Sequence, residues 1–326
     1  MTSPPNAPGR RPRSVTGRAA VGGKGAGDEN FPVASLLIAP TLRPHIGAFY
    51  DFARAADDIA DDPGLGADQK LARLDAFSDA LSGARQDSPG QDAPGQDAPG
   101  GNPAAGFDSG PARALAASLQ RTGVSPAHAR DLLAAFRQDA VKQRYASWAE
   151  LMDYCRLSAA PCGRYLLALH GEAGEAGEMG AAVVASADAL SAALQVINHI
   201  QDCRADYLDL QRVYLPLDWL EAEGAALAEL AAGATSPALR RVLDRMLVGV
   251  DELLADARLL PALVHDGRLA YEAAVVLAIA GKLSRRLRAE DPLAGRVALS
   301  RWQFGWCAMI GLGQGAGARL RRRRRR

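Results

Sequence analysis

Residues 42–63, LRPHIGAFYDFARAADDIADDP, decide how the rest of the chain is read. Ile46, Phe49, Tyr50, Ala53, Ala56 and Ile59 recur at spacings of three and four, so the stretch predicts a helix with one buried face. Asp57 and Asp61 then lie four apart on one face, and Asp58 and Asp62 form a second pair turned by about a quarter of a circle. Pro63 and Gly64 stop the helix at once. The aspartates therefore occupy the last turns, where the helix dipole disfavours negative charge by about 0.3–1 kcal/mol each and like charges at i, i+4 add to the penalty. A sequence selected only for stability would place Lys or Arg here. Something cationic is expected to compensate; the plain alternative is a solvated acidic helix end.

A second acidic cluster supports the first. In NHIQDCRADY, Asn198, Asp202 and Asp206 fall at i, i+4 and i+8, with Gln195 one turn earlier. The preceding run, 181–197, is rich in Ala, Val and Leu and nearly uncharged, which predicts a helix buried on almost all sides. Carboxylates continuing from such a helix are rarely left unpaired. Two acidic helix faces opposed across a cavity would hold hard divalent cations. Mg²⁺ suits them, because it takes one or two carboxylates per ion and fills its other positions with water and phosphate oxygens.

DDIADD and NHIQDCRADY, with YCRLSAAPCG between them and RVYLP after, resemble the motif set of the squalene/phytoene synthases. The resemblance runs from about Asn30 to the Arg285 region. It implies an all-α, single-domain isoprenoid synthase bundle around a central apolar cavity, with a prenyl diphosphate as substrate and Mg²⁺ as cofactor. It assigns Asp57, Asp61, Asp62, Asn198, Asp202 and Asp206 to the metal. Asn30, Phe31, Arg54, Asp139 and Gln195 are assigned to the substrate, and Tyr154, Arg212 and Tyr214 to catalysis. An ordinary salt bridge would equally explain Arg54. The wording NHIQDC…DY…RVYLP is most similar to the branch that converts presqualene diphosphate and water to hydroxysqualene. Gln201 stands where condensing relatives carry Arg before the aspartate, and loss of that cation favours a reaction on one diphosphate. The alternatives are a synthase that condenses two prenyl diphosphates and a non-catalytic scaffold of the same fold; intact aspartates in both motifs disfavour the scaffold.

Composition agrees with a helical globular chain: 326 residues, 48% hydrophobic, 23% charged and only 6% aromatic. The net charge of +1 hides an asymmetry, since Arg319 and Arg321–Arg326 supply seven positive charges. Cys155, Cys162, Cys203 and Cys307 lack metal-ligand spacing and read as reduced, mostly buried thiols of a cytoplasmic protein. The five histidines are scattered without metal spacing, although His199 lies beside the metal face.

Residues 1–29 read as disordered and 30–290 as the synthase domain. A flexible insertion is expected at 83–111, where QDSPG, QDAPG and QDAPG repeat, and a separate segment at 291–326. Pro161 predicts a kink within YCRLSAAPCG, and Gly163 is expected to open room beside that helix. The final stretch, with Trp302 and Trp306 before the arginine run, suits peripheral contact with an anionic membrane or a solvated tail. Nothing upstream supports specific nucleic-acid reading. Oligomeric state is not legible.

Overall fold

The computed structural model describes residues 37–83, 108–172 and 178–325. Asn30 and Phe31, the segment 1–29 and nearly all of the 83–111 insertion lie outside the described residues. Among those described, the chain is helical with no strand; its one bridge pairs Arg144 with Val213.

Four helices form one half. These are α1 (Arg43–Asp61), α2 (Ala67–Ser82), α3 (Gly110–Thr122) and α4 (Ala127–Val141). Of the predicted apolar face of α1, Ile46, Phe49, Ala56 and Ile59 are buried and Tyr50 and Ala53 half-buried, and Phe52, outside that pattern, is buried with them. Phe52 stacks on Phe77 of α2 with ring centroids 5.0 Å apart, and Phe49 stacks on Tyr165 at 4.1 Å. Gly83 and Gly123 close α2 and α3 with φ of +72° and +70°, a conformation in which a Cβ would be strained.

The chain continues through α5 (Trp148–Ser158) and α6 (Ala160–Leu169). Ser147 caps α5 by accepting from the Glu150 amide, and the break between the two helices falls at Ala159, with Pro161 in the first turn of α6. The kink expected from Pro161 is present. Gly163 does a second job as well: a Cβ there would meet Ser191 Oγ at 2.7 Å, so the glycine lets α6 lie close against the next helix.

That helix, α7 (Glu178–Asp209), is the centre of the molecule, in contact with α5, α6 and α9 (Pro237–Ala257) as well as α10 (Leu260–Leu263) and α11 (Gly267–Ala289). Between α7 and α9 lie the loop 210–216, α8 (Leu217–Glu223) and a tight turn at Leu227–Ala231. By length and composition Gly180–Asp209 could cross a membrane, but here it is a core helix with Val196, Ile197 and Ile200 buried. Ser236 and Asp266 cap α9 and α11 by accepting from Leu239 and Leu269 amides at 3.1 and 2.8 Å.

The segment after 290 does not stand apart. Thr235 donates to Asp291, Gln201 donates to the Val297 carbonyl, and α12 (Arg301–Arg325) lies along α11. The boundary expected at 290 therefore falls inside packed structure.

Because Phe52 is fully buried and fixes the turn before Asp57, Phe52→Ala should cost about 3–5 kcal/mol, read as a lower urea midpoint at unchanged m-value.

Candidate active site

The halves enclose a cavity of about 440 Å³. Its wall is apolar, with Phe49 from α1, Leu166 from α6, Leu190 and Leu194 from α7, and Val276 and Leu283 from α11. Its mouth is acidic. Asp57 and Asp61 reach it from α1, and Asn198, Asp202 and Asp206 from α7, with Gln195 one turn deeper. The two motifs, some 140 residues apart in sequence, thus line one space.

The aspartates of α1 divide according to helix periodicity. Asp57 and Asp61 face the cavity, whereas Asp58 is exposed and pairs with Arg54 at 3.0 Å. Asp62 is not in the cavity wall: its Oδ1 accepts from the Gly64 amide at 2.8 Å and closes the turn after the helix. Asp62 was expected among the metal ligands, but ending the helix at Asp61 turns its carboxylate into the loop. Arg54 makes the ordinary salt bridge, 3.6 Å from Asp57, and does so from a place in the cavity wall.

The cation demanded by the acidic helix end is Arg212. Its Nη1 lies 2.5 Å from Asp61 Oδ1, and its Nη2 donates to the Ala60 carbonyl at 2.9 Å. Lys70 Nζ donates to the same carbonyl at 2.7 Å. The last turn of α1 is thus held by two cations, and the Arg212 side chain is only 7% exposed. Arg212 is delivered by the turn leaving α7, where its amide bonds to Asp206 O and Gln211 adopts φ of +56°. Val213 N then bonds to Gln143 O, pinning the loop beside α4.

One residue further on, Tyr214 enters a buried aromatic cluster. Tyr154 and Tyr214 donate to the two oxygens of Asp139 at 2.6 and 3.0 Å. Tyr145 and His199 both stack on Tyr214, with ring centroids 5.4 and 3.8 Å away. Tyr154, Tyr214, His199 and Asp139 all line the cavity, so the weakly signalled Asp139 belongs to the site. His199, noted from the sequence only as lying beside the metal face, and Tyr145, not singled out at all, are placed here by stacking against a loop residue, which leaves no periodic mark.

Arg296 is a further residue that sequence reasoning missed. Its Nε lies 4.0 Å from Asp202 Oδ1, approaching from the segment after α11. Gln201, in contrast, is buried and turned towards Val297, away from the cavity. A cation near Asp202 is therefore present although Arg is absent from the motif, supplied by a distant part of the chain.

Burial raises the carboxylates here. Asp139 is pushed up to about 6 by desolvation, against the pull of Arg212 and the two tyrosine hydroxyls. Asp57 is pushed up to about 8, first by desolvation and then by Asp61. Its side chain retains 39% exposure, but Asp57 lines the cavity and protein surrounds it, so the upward direction stands. Burial, and then Asp139, raise both Tyr154 and Tyr214, which stay protonated at neutral pH.

Helices closed around an apolar cavity whose mouth carries two opposed carboxylate motifs form the architecture of an isoprenoid synthase, a class of enzymes. The chain belongs to the squalene/phytoene synthase family, whose profile matches residues 25–303. It is 42% identical over 282 residues to the hydroxysqualene synthase of Rhodopseudomonas palustris, covering 86% of this chain and 87% of that one. The corresponding protein of Zymomonas mobilis is 40% identical, with 86% and 85% covered. Among solved structures, squalene synthase HpnC from Alicyclobacillus acidocaldarius superposes with a TM-score of 0.61 at 30% identity, over 79% of this chain and 87% of the other. A dehydrosqualene synthase shares the fold at 19% identity and TM-score 0.65, with 88% and 92% covered.

The raised carboxylates set a pH dependence. Each folded-state value lies above that of the unfolded chain, so the associated stability is complete below about pH 4 and is lost as pH rises through the folded value. For Asp139 the loss is on the order of 3 kcal/mol across pH 4–6. Metal-free protein should accordingly melt at lower temperature at pH 8.5 than Asp57→Asn does, and the difference should shrink steadily as pH falls through 8 and close only towards pH 4.

Proposed function

We propose that this enzyme converts presqualene diphosphate and water to hydroxysqualene and diphosphate, with Mg²⁺ at the cavity mouth. The observation that carries the reading is a single cavity with carboxylates from two helices at one end and an apolar wall at the other. The name borne by relatives at 40–42% identity supports the particular reaction.

The donor set fits a hard, oxygen-preferring ion: Asp57 and Asp61 on one side, Asn198, Asp202 and Asp206 on the other. Among the described residues no three acidic, His or Cys side chains converge tightly enough to chelate an ion alone. Such an arrangement suits ions that complete their shells with water and diphosphate oxygens. When bound, Mg²⁺ would offset the charge of the departing diphosphate.

The chain's own groups do the rest. Arg54 and Arg212 add positive charge beside the diphosphate end, and Arg212 fixes the carboxylate of Asp61. The carbon–oxygen bond breaks with its electron pair leaving on diphosphate, and the cyclopropylcarbinyl cation rearranges within the apolar wall. Tyr154, Tyr214 and His199 line that space, and electron-rich aromatic rings at a cavity wall favour a nearby cation. Asp139 holds the two tyrosines in place by accepting both hydroxyls. Water adds to the rearranged cation, forming the new carbon–oxygen bond and releasing a proton. Gln195 lies in the wall one turn from the donor set and contacts the substrate in this reading. No reductant enters the balance.

The test supplies purified enzyme with Mg²⁺ and no NADPH, giving presqualene diphosphate in one arm and farnesyl diphosphate in the other. Hydroxysqualene from the first and no product from the second is expected; consumption of farnesyl diphosphate would instead assign a condensing synthase. Asp61→Asn and Asp202→Asn should each lower kcat/KM by at least about a hundredfold, whereas Asp58→Asn, outside the cavity, should stay within about threefold. Because Asp57 must ionise to hold a metal, Mg²⁺ binding at pH 7 should release protons. Calorimetry in buffers of differing ionisation enthalpy would detect them, and Asp57→Asn should release fewer.

A further inference from the structure

Capture of a cation by one water requires a polar group set into an otherwise apolar wall. The groups at the mouth do not suit that task. Tyr154 and Tyr214 donate their hydroxyls to Asp139, and a carboxylate beside the cation would itself bond to the carbon. Glu272 also lines the cavity, but next to Leu269 and Ala273, which pack with Val183, Ala187 and Leu190 at the far end from the carboxylates. Ser191 turns its Oγ into the seam between α6 and α7, where a Cβ on Gly163 would meet it.

Ser158 differs from all of these. It lines the cavity, half-buried, at the end of α5, and among the described residues its Oγ has no hydrogen-bond partner. In this conformation the oxygen is covered, and rotation about the single Cα–Cβ bond is enough to present it to the cavity. That turn breaks no protein hydrogen bond, and a buried hydroxyl gains by finding a partner. Its level in the cavity follows from its neighbours. On one side of it in sequence, the Tyr154 ring lies 6.0 Å from that of His199 on α7. On the other side, Gly163 packs on Ala187 and Ser191, and Arg164 bonds to Asp188 at 2.8 and 2.6 Å. The chain thus descends α7 from His199 towards Asp188, and Ser158 falls between, at the level of Leu194 and Gln195. Beyond it the wall is apolar, with Leu166 and Leu190; before it stand Asn198 and the carboxylates. The hydroxyl is set at the boundary, about 5 Å along α7 from Asn198.

We propose that Ser158 holds the water that captures the rearranged cation and so makes an alcohol the product, an inference that rests on the reaction proposed above. The carbon that loses diphosphate starts at the mouth, tethered there by its leaving group, so positive charge forms at this boundary with the hydrocarbon chains in the wall beyond. A neutral hydroxyl orients water without bonding to the cation, and Gln195, in the wall at the same level, is a second polar group for that water. The water oxygen forms the new bond to carbon, and its proton passes to the diphosphate just released, a base already at the mouth. Without a held water the same cation loses a proton from the adjacent carbon to diphosphate. The product is then a hydrocarbon with one more double bond, which differs from the alcohol by one water.

The experiment supplies wild type, Ser158→Thr, Ser158→Val and Ser158→Ala with presqualene diphosphate and Mg²⁺ but no NADPH, following diphosphate release and analysing products by mass spectrometry. Threonine and valine share a shape and differ in the hydroxyl, so that pair isolates the group in question. Wild type and Ser158→Thr should yield mainly hydroxysqualene. Ser158→Val and Ser158→Ala should lower the ratio of alcohol to hydrocarbon by at least about tenfold, the effect of one hydrogen bond, while diphosphate release falls by less than about threefold. An equal ratio in Ser158→Val and Ser158→Thr would overturn the inference. So would slower diphosphate release at an unchanged ratio, which is the behaviour of a serine that only supports the fold. Alcohol made by wild type and retained by Ser158→Val would sink this inference alone. Absence of alcohol from wild type would overturn the reaction proposed above and this inference with it.

Discussion

The site depends on one ion pair, a buried Arg212 against a partly exposed Asp61. Arg212 joins the end of α1 to the turn that leaves α7, binding Asp61 with one nitrogen and the Ala60 carbonyl with another. Without a cation there, the carboxylates at the end of α1 would oppose both the helix dipole and one another. An ion pair with a buried member is poor evidence for stability, because desolvation offsets much of its attraction. Its value is positional. The same turn that supplies Arg212 places Tyr214 on Asp139, so the two halves of the molecule are registered at the point where chemistry is expected.

The cavity is polar at one end and apolar at the other because α7 changes character along its length. Ala187, Leu190 and Leu194 serve the wall, and Asn198, Asp202 and Asp206 the mouth, all on one continuous helix. Enclosure has a cost that is visible in the raised carboxyls of Asp57 and Asp139. Those groups are held in surroundings that favour their neutral forms until a positive partner arrives. Such tension between burial and charge is common where a site is built for a ligand and not for the resting protein.

The segment beyond residue 290 contributes more than composition suggested. Arg296 reaches Asp202, Val297 accepts from Gln201, and the glycine seam of α12 covers α11. Gln201 was read as a lost cation; in the fold, the glutamine ties α7 to this segment and a nearby arginine approaches the aspartate instead. Function at that position cannot be judged from the motif alone, since charge near a carboxylate can come from any part of the chain that passes within a few ångströms.

What the sequence determined by itself was periodic or local. The buried face of α1, the i, i+4 carboxylates of both motifs, the kink at Pro161 and the helical class all follow from spacing and from single-residue stereochemistry. Tertiary structure decided which of the neighbouring aspartates face the cavity, turning Asp57 and Asp61 inward and Asp62 into a turn. It also decided that Arg212 is the compensating cation, that His199 and Tyr145 stack around Tyr214, and that Arg296 stands near Asp202. The division has a physical reason. A helix repeats every 3.6 residues and writes its inward face into the sequence, whereas a contact across 151 residues between Arg212 and Asp61 depends on how loops and helices pack, which no local spacing records.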